Sequence, residues 1–277
     1  MGKKKESKIS WFMIIVYALA VAAFLIPFPA LVVEIFYGIE LAASLIILIY
    51  ICQNKYKSLP RKILFFTLYS MAVNIKLTSN LLTGIQNDNQ LPLVSFLAHY
   101  WCHDSFIVVI IFISLILGVT FFLAIKGVRR ISEVSARFAL DTMNQKMFNI
   151  DNKYSNHEIT EEEAETMKKN LHCEMDFFAS MDGAARFFAG NTKAMLLIMT
   201  LIDIAGGTAI NYFMQGKKLF DAISPVILYT AANVLLYCVP LIIVSIACGI
   251  CIINKKEEHE NRSLEEIVNW VIHKNKK

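Results

Sequence analysis

This chain has few of the short patterns that announce chemistry. No glycine-rich stretch ends in Gly-Lys-Ser or Gly-Lys-Thr, and Gly206-Gly207 falls inside an apolar run instead of after a strand, so no phosphate-cradling loop is expected. The serines and histidines form no nucleophile elbow, and no catalytic constellation or cofactor site emerges. Six cysteines, Cys52, Cys102, Cys173, Cys238, Cys248 and Cys251, are scattered without a disulfide spacing; most lie in or at the edge of apolar runs and read as small apolar residues. Cys102 with His103, and His99 with His103 one helical turn apart, offer donors but no third ligand, so no metal site is expected. The lysines before Trp11 are not interleaved with aromatic residues and suit anionic lipid better than nucleic acid.

What the chain has instead is length of apolar run. Hydrophobic residues make up 56% of it, concentrated in Trp11 to Pro27, Ala30 to Cys52, Ile63 to Leu82, Ser105 to Ile125, Ala194 to Phe213 and Ser224 to Ile253. Most of these approach the roughly 20 residues that cross about 30 Å of hydrocarbon. The reading is an all-α, polytopic helical membrane protein whose solvent is the lipid bilayer. The first run is too long and too hydrophobic for an ordinary signal sequence and is expected to remain as a helix. The last is long enough to stay one span or to divide at Pro240 into two segments.

Charge placement sets the expected orientation. Lys3, Lys4, Lys5 and Lys8 precede the first run, Lys55, Lys57, Arg61 and Lys62 follow the second, and Lys126, Arg129 and Arg130 follow the fourth. Lys255 and Lys256 follow the sixth, whereas the opposite side holds Lys217 and Lys218. Six crossings with both termini cytoplasmic satisfy this bias. The resulting organisation is a basic cytoplasmic N-terminus (1–10), four spans (11–126), a cytoplasmic helical insert (127–193), later spans (194–253) and a short cytoplasmic tail (254–277).

The insert carries the most pattern. Ile131 to Met143 reads as an amphipathic helix with Ile131, Val134 and Phe138 on one side, and with Arg130, Glu133 and Arg137 able to pair along the next. Arg137 and Asp141, four apart, can also face each other. Asn144 to Asn156 is polar and reads as a loop. Thr160 then caps a second helix with Glu163 in the reciprocal position of a capping box. That helix is expected to end near Met181-Asp182-Gly183.

Arg129-Arg130-Ile131-Ser132-Glu133-Val134-Ser135-Ala136-Arg137-Phe138-Ala139-Leu140-Asp141-Thr142-Met143, with Lys146 and Ile150-Asp151, resembles the signature of the large export-gate membrane protein of bacterial flagella and type III secretion systems. Asp176 to Phe187, Ile204-Ala205-Gly206-Gly207 and Pro240 to Gly249 are similar to later parts of the same family. The resemblance implies a component of the bacterial inner membrane that forms a ring with other copies of itself and contacts other export-gate membrane proteins. It also implies coupling of proton motive force to protein export. Several positions depart from the family pattern: Lys153 stands at an acidic position, Ser70 and Ser79 where arginines are usual, and Asn233 where an aspartate is expected. Family members continue into a large cytosolic domain that receives export substrates, whereas this sequence closes on the 24 residues Asn254 to Lys277. Under a reduced-scaffold reading, a separate chain supplying the receiving domain is one candidate partner.

Ionisable residues inside apolar runs mark function by default, because each is costly in lipid. Glu34 is either a coupling group or an interfacial residue in water. Glu40 is deeper and either exchanges a proton or stays neutral. Lys76 is the expected partner for one of them. Asp203 lies between Ile202 and Ile204, next to Gly206-Gly207, as a proton site or as a packing hydrogen-bond donor. Asp151 and Asp182 complete the coupling candidates, with Arg129, Arg130, Glu133, Arg137 and Asp141 as insert contacts. Two functions compete: a proton-responsive part of an export gate, and a reduced scaffold of the export apparatus. A solute or ion transporter is the weaker alternative, since no inverted repeat is apparent.

Overall fold

The computed structural model describes residues 29–53, 58–87, 91–102 and 106–274, so the first apolar run, Lys55, Lys57 and His103 lie outside it. Its helices are α1 (Ala30–Cys52), α2 (Leu59–Asn87), α3 (Pro92–Cys102), α4 (Phe106–Thr120), α5 (Val128–Ser155), α6 (Glu161–Ala209) and α7 (Leu219–Lys274). A π-helical stretch, Phe121–Gly127, joins α4 to α5 without a break, and another, Ile210–Met214, extends α6. There is no strand among the described residues. The protein is an all-α polytopic membrane protein, as its apolar runs predict.

Among the described residues four helical segments, in α1, in the α4–α5 rod, in α6 and in α7, are long and apolar enough to cross a membrane. Their polarity is arranged for lipid. α1 turns Leu31, Ile35, Ile46 and Ile49 outward while burying Glu40 and Ser44 beside Val33, Tyr37, Ile47 and Ile51. Apolar side chains outside and carboxylate inside suit a hydrocarbon solvent.

α2 differs from the span expected over Ile63 to Leu82. It is 29 residues long, enough to reach across a bilayer, but Ser70, Asn74, Lys76, Thr78, Ser79 and Asn80 dilute its apolar character and it is not among those four segments. It is sheathed instead, packing against α1, α6 and α7 with Thr67, Ser70, Asn74 and Thr78 buried.

The stretch Asn144 to Asn156, expected as a loop, is helical to Ser155. Met143, Met147 and Ile150 are half-buried at helical spacing against α6, whose Ala164, Leu171 and Phe178 are buried. Ion pairs Lys146–Glu174 (3.7 Å) and Lys168–Asp151 (2.6 Å) flank this contact. Being partly exposed they contribute little, so apolar packing holds the polar segment helical. The turn is short, with His157 at φ 57°. Thr160 and Glu163 form the expected capping box, and the Thr160 backbone and hydroxyl hold the Glu163 carboxyl below its ordinary range.

The expected break at Met181-Asp182-Gly183 is absent; α6 runs 49 residues from Glu161 to Ala209. A mid-helix glycine costs about 1 kcal/mol, which the buried contacts of Met181, Ala184, Ala185 and Phe188 outweigh. The stripe Ile131, Val134 and Phe138 does not face the core either. α5 buries Val128, Ser132 and Ala136, because the small side chains Ala184, Ala185 and Ala189 of α6 let the helices approach closely, while that stripe stays exposed. α7 is one continuous helix through Pro225 and Pro240, so the last run is not divided.

Two glycines test this packing in opposite directions. A Cβ on Gly207 would lie 2.8 Å from both Ile85 Cδ1 and Val226 Cγ1, whereas one on Gly183 meets nothing within 4 Å. Gly207→Ala should destabilise the α2–α6–α7 contact by about 1–3 kcal/mol, and Gly183→Ala should stabilise by about 0.5–1 kcal/mol. Thermal unfolding in detergent measures both, and equal shifts of one sign would contradict this packing.

Candidate functional site

The buried polar face of α2 organises two carboxylates brought by other helices. α1 places Glu40, fully buried, beside Ser70 and Asn74. The Ser70 hydroxyl donates to Glu40 Oε1 at 2.5 Å, and Asn74 Nδ2 lies 3.2 and 3.4 Å from the two carboxylate oxygens. Asn74 Nδ2 also donates to the Ser70 carbonyl at 2.7 Å. Buried Tyr69 closes the pocket by donating to the Phe36 carbonyl at 2.9 Å.

One turn along α2, Thr78 meets a second group. α6 brings Asp203 and α7 brings Asn233, both fully buried. Asn233 Nδ2 donates to Asp203 Oδ2 at 2.7 Å and approaches Thr78 Oγ1 at 3.4 Å. Ser70, Asn74 and Thr78 are successive i,i+4 positions, so this polar column extends about 12 Å along α2 at 1.5 Å per residue.

Among the described residues, neutral donors alone meet both carboxyl groups. Lys76 is half-buried and, among the described residues, forms no ion pair with Glu34 or Glu40; the expected ammonium partner is replaced by a hydroxyl and an amide. Asp203 Oδ1, Asn233 Oδ1 and Asn74 Oδ1 are buried acceptors without a donor among the described residues. A proton on the Asp203 carboxyl turns one acceptor of the facing acid and amide into a donor. The column thus holds more buried acceptors than donors to meet them among the described residues.

The other candidates separate into two places. Glu34 accepts the Leu93 backbone N–H at 2.7 Å and so caps the first turn of α3, a structural role at a helix end. On the hairpin that α5 and α6 form across the turn at His157, Asp182 accepts from Ser132 Oγ at 3.2 Å and from Arg186 Nε at 2.8 Å. Arg186 also lies 3.9 Å from Glu133, which pairs with Arg137 at 2.7 Å. Arg137 therefore turns to Glu133 and not to Asp141, the acid-before-base order that suits a helix. Arg129, Arg130 and Asp141 are exposed and stand outside this cluster, and Asp151 pairs with Lys168. His99 lies in the last turn of α3, and no group of three potential metal ligands occurs among the described residues. Sequence reasoning misses Thr78 and Ser132, although the i,i+4 recurrence of Ser70, Asn74 and Thr78 is there to be found.

Comparison with known proteins adds identity to this geometry. The description of the FHIPEP family matches residues 20–277. The chain belongs to the FHIPEP family. Flagellar biosynthesis protein FlhA of Borreliella burgdorferi is 32% identical over 239 residues, covering 84% of this chain and 34% of that protein. FlhA of Caulobacter vibrioides is 34% identical over 234 residues, 82% of this chain and 33% of that protein. FlhA of Salmonella typhimurium is 29% identical over 246 residues, 86% of this chain and 35% of that protein. The chain spans about a third of the length of these relatives. No solved structure matches it.

Within this FHIPEP chain the departures noted in the sequence have physical settings. Ser70, where the resemblance leads one to expect arginine, is the hydroxyl on Glu40, and Asn233, where it leads one to expect aspartate, is the amide on Asp203. Lys153 occupies the last turn of α5, where a positive charge suits the carboxyl end of the helix dipole.

The Asp203–Asn233 contact predicts a rescue. Asn233→Asp sets two carboxyl groups face to face and should cost about 1–3 kcal/mol of stability, while the exchange Asp203→Asn with Asn233→Asp restores one acid and one amide and should recover most of the loss. Unfolding of the two single variants and the double variant in detergent measures the coupling. A double variant whose loss equals the sum of the single losses would show that the pair does not interact.

Proposed function

We propose that this chain is a membrane component of a flagellar or type III-like protein export gate, and that proton binding at Glu40 and Asp203 lets it respond to proton motive force. Family membership and the FlhA relatives support the first half. The observation that carries the second is the burial of both carboxyl groups against neutral donors along one face of α2. Charging either group without a counter-ion strongly disfavours the present packing, so gain or loss of a proton changes what α1, α2, α6 and α7 require of one another.

α6 provides the transmission. Asp203 and Asp182 share one uninterrupted helix, about 32 Å apart at 1.5 Å per residue, so a shift of the spans at Asp203 is carried to the Asp182–Arg186–Glu133 cluster by a rigid rod. The chain works, in this reading, in the bacterial inner membrane with both termini cytoplasmic, in a ring with other copies and beside other export-gate membrane proteins. The scaffold reading is favoured by Asn233, whose amide donates to Asp203 in a contact that can be purely structural.

Asp203→Asn separates the two. For a proton-responsive gate, proton-driven export should fall by about tenfold or more, the scale of losing a proton-carrying group, while membrane insertion and assembly on native gels stay near normal. Normal export with normal assembly would leave the scaffold reading standing. The hairpin is tested separately through Arg137, which is exposed and whose pair with Glu133 is worth only about 0.2–0.5 kcal/mol. Arg137→Ala should reduce capture of neighbouring copies or gate proteins far more than it reduces detergent-resistant yield, and equal losses would refute a contact role.

A further inference from the structure

The turn between α6 and α7 combines an apolar groove with a pair of cations. The groove, about 480 Å³, is lined by Ile204, Ala205, Thr208, Tyr212, Leu219 and Ile223 among others. That is within the range of small-molecule sites. It lies where two membrane-spanning segments end, so hydrocarbon and not water is its natural filling. Phe213, 80% exposed, and Tyr212, 46% exposed, both line it, and a tyrosine with its polar tip is the kind of aromatic side chain that suits a membrane–water interface.

Lys217 and Lys218 directly precede Leu219, which lines the groove, and are exposed. Among the described residues neither forms an ion pair. Asp221, in the first turn of α7, is the nearby acid, and the turn keeps a net positive charge. Its backbone is fixed. Asn211 Nδ2 donates to the Ala222 carbonyl at 2.9 Å, Gln215 Nε2 to the Ile85 carbonyl at 2.8 Å, and the Lys217 N–H to the Asn211 carbonyl at 3.2 Å. Gly216 takes φ +67°, a conformation open to glycine, to complete the reversal.

We propose that this turn is a binding site for an anionic phospholipid, with an acyl chain in the groove and the phosphate on Lys217 and Lys218. Charge complementarity selects this occupant. The apolar lining suits an acyl chain and the exposed lysine pair a phosphate, and one anionic phospholipid supplies both. The site is independent of the proton reading of Glu40 and Asp203.

The test is lipid retention by the full chain in mild detergent, offered phosphatidylglycerol or phosphatidylcholine and read by native mass spectrometry. The unaltered chain should prefer phosphatidylglycerol. K217Q/K218Q should erase that preference, about fivefold per lysine, and leave phosphatidylcholine retention unchanged. Ala205→Trp, which fills the groove from an exposed position, should lower retention of both, with circular dichroism confirming its fold; if it misfolds, the lysine variant decides alone. No preference in the unaltered chain, or an unchanged preference in K217Q/K218Q, overturns the proposal. So does full lipid retention by folded Ala205→Trp, or efficient cross-linking between copies through Ala209→Cys in membranes, which would place a second copy in the groove.

Discussion

A carboxyl group inside a membrane protein needs partners that lipid cannot supply, and Glu40 finds them on α2 in Ser70 and Asn74. Much of the architecture answers that demand. α2 is too polar to face hydrocarbon along its Ser70, Asn74 and Thr78 side, so α1, α6 and α7 enclose it, and α6 and α7 bring Asp203 and Asn233 to the same column. Close approach is possible because Gly206 and Gly207 put no side chain between α6 and its neighbours; an added Cβ at either would crowd Leu82, Ile85 or Val226. Polar burial and small-residue packing are thus two aspects of one contact.

The second constraint is continuity. α4 passes through a π-helical stretch into α5, and α6 returns from the hairpin into its span with no break. At the first of these joints the Ser245 hydroxyl of α7 donates to the Leu123 carbonyl at 3.0 Å, supporting a backbone whose ladder is irregular. The hairpin is therefore an extension of the spans and not a tethered domain. That mechanical link supplies the proposed coupling with a physical route from the buried column to the Asp182 cluster, which a flexible connection would not.

Several segments are legible in the amino-acid sequence. The apolar runs predict helices, Thr160 and Glu163 predict a capping box, and the signature between Arg129 and Asp151 points to the family that the chain belongs to. Where sequence reasoning fails, local polarity outvotes periodicity. Asn144 to Asn156 reads as a loop because its asparagines and lysines are prominent, while Met143, Met147 and Ile150 carry the helical spacing. The same emphasis makes Gly183 look like a terminator, although Met181, Ala184 and Ala185 continue the buried face. Ile131, Val134 and Phe138 show the converse error: a valid apolar spacing that the protein leaves exposed, because the small side chains of α5 are the ones that fit against α6.

By itself the sequence determined the solvent, the helical class and the residues too costly to be idle, since those follow from composition and from the energy of placing charge in hydrocarbon. Partnership was decided only by tertiary structure. Lys76 is the chemically obvious complement to a buried glutamate, yet helix rotation aims Ser70 and Asn74 at Glu40, and 30 residues of chain separate Asp203 from the amide that meets it. Which face of a helix is inward depends on how neighbouring surfaces interlock, and that information is distributed over several helices at once instead of residing in any one of them.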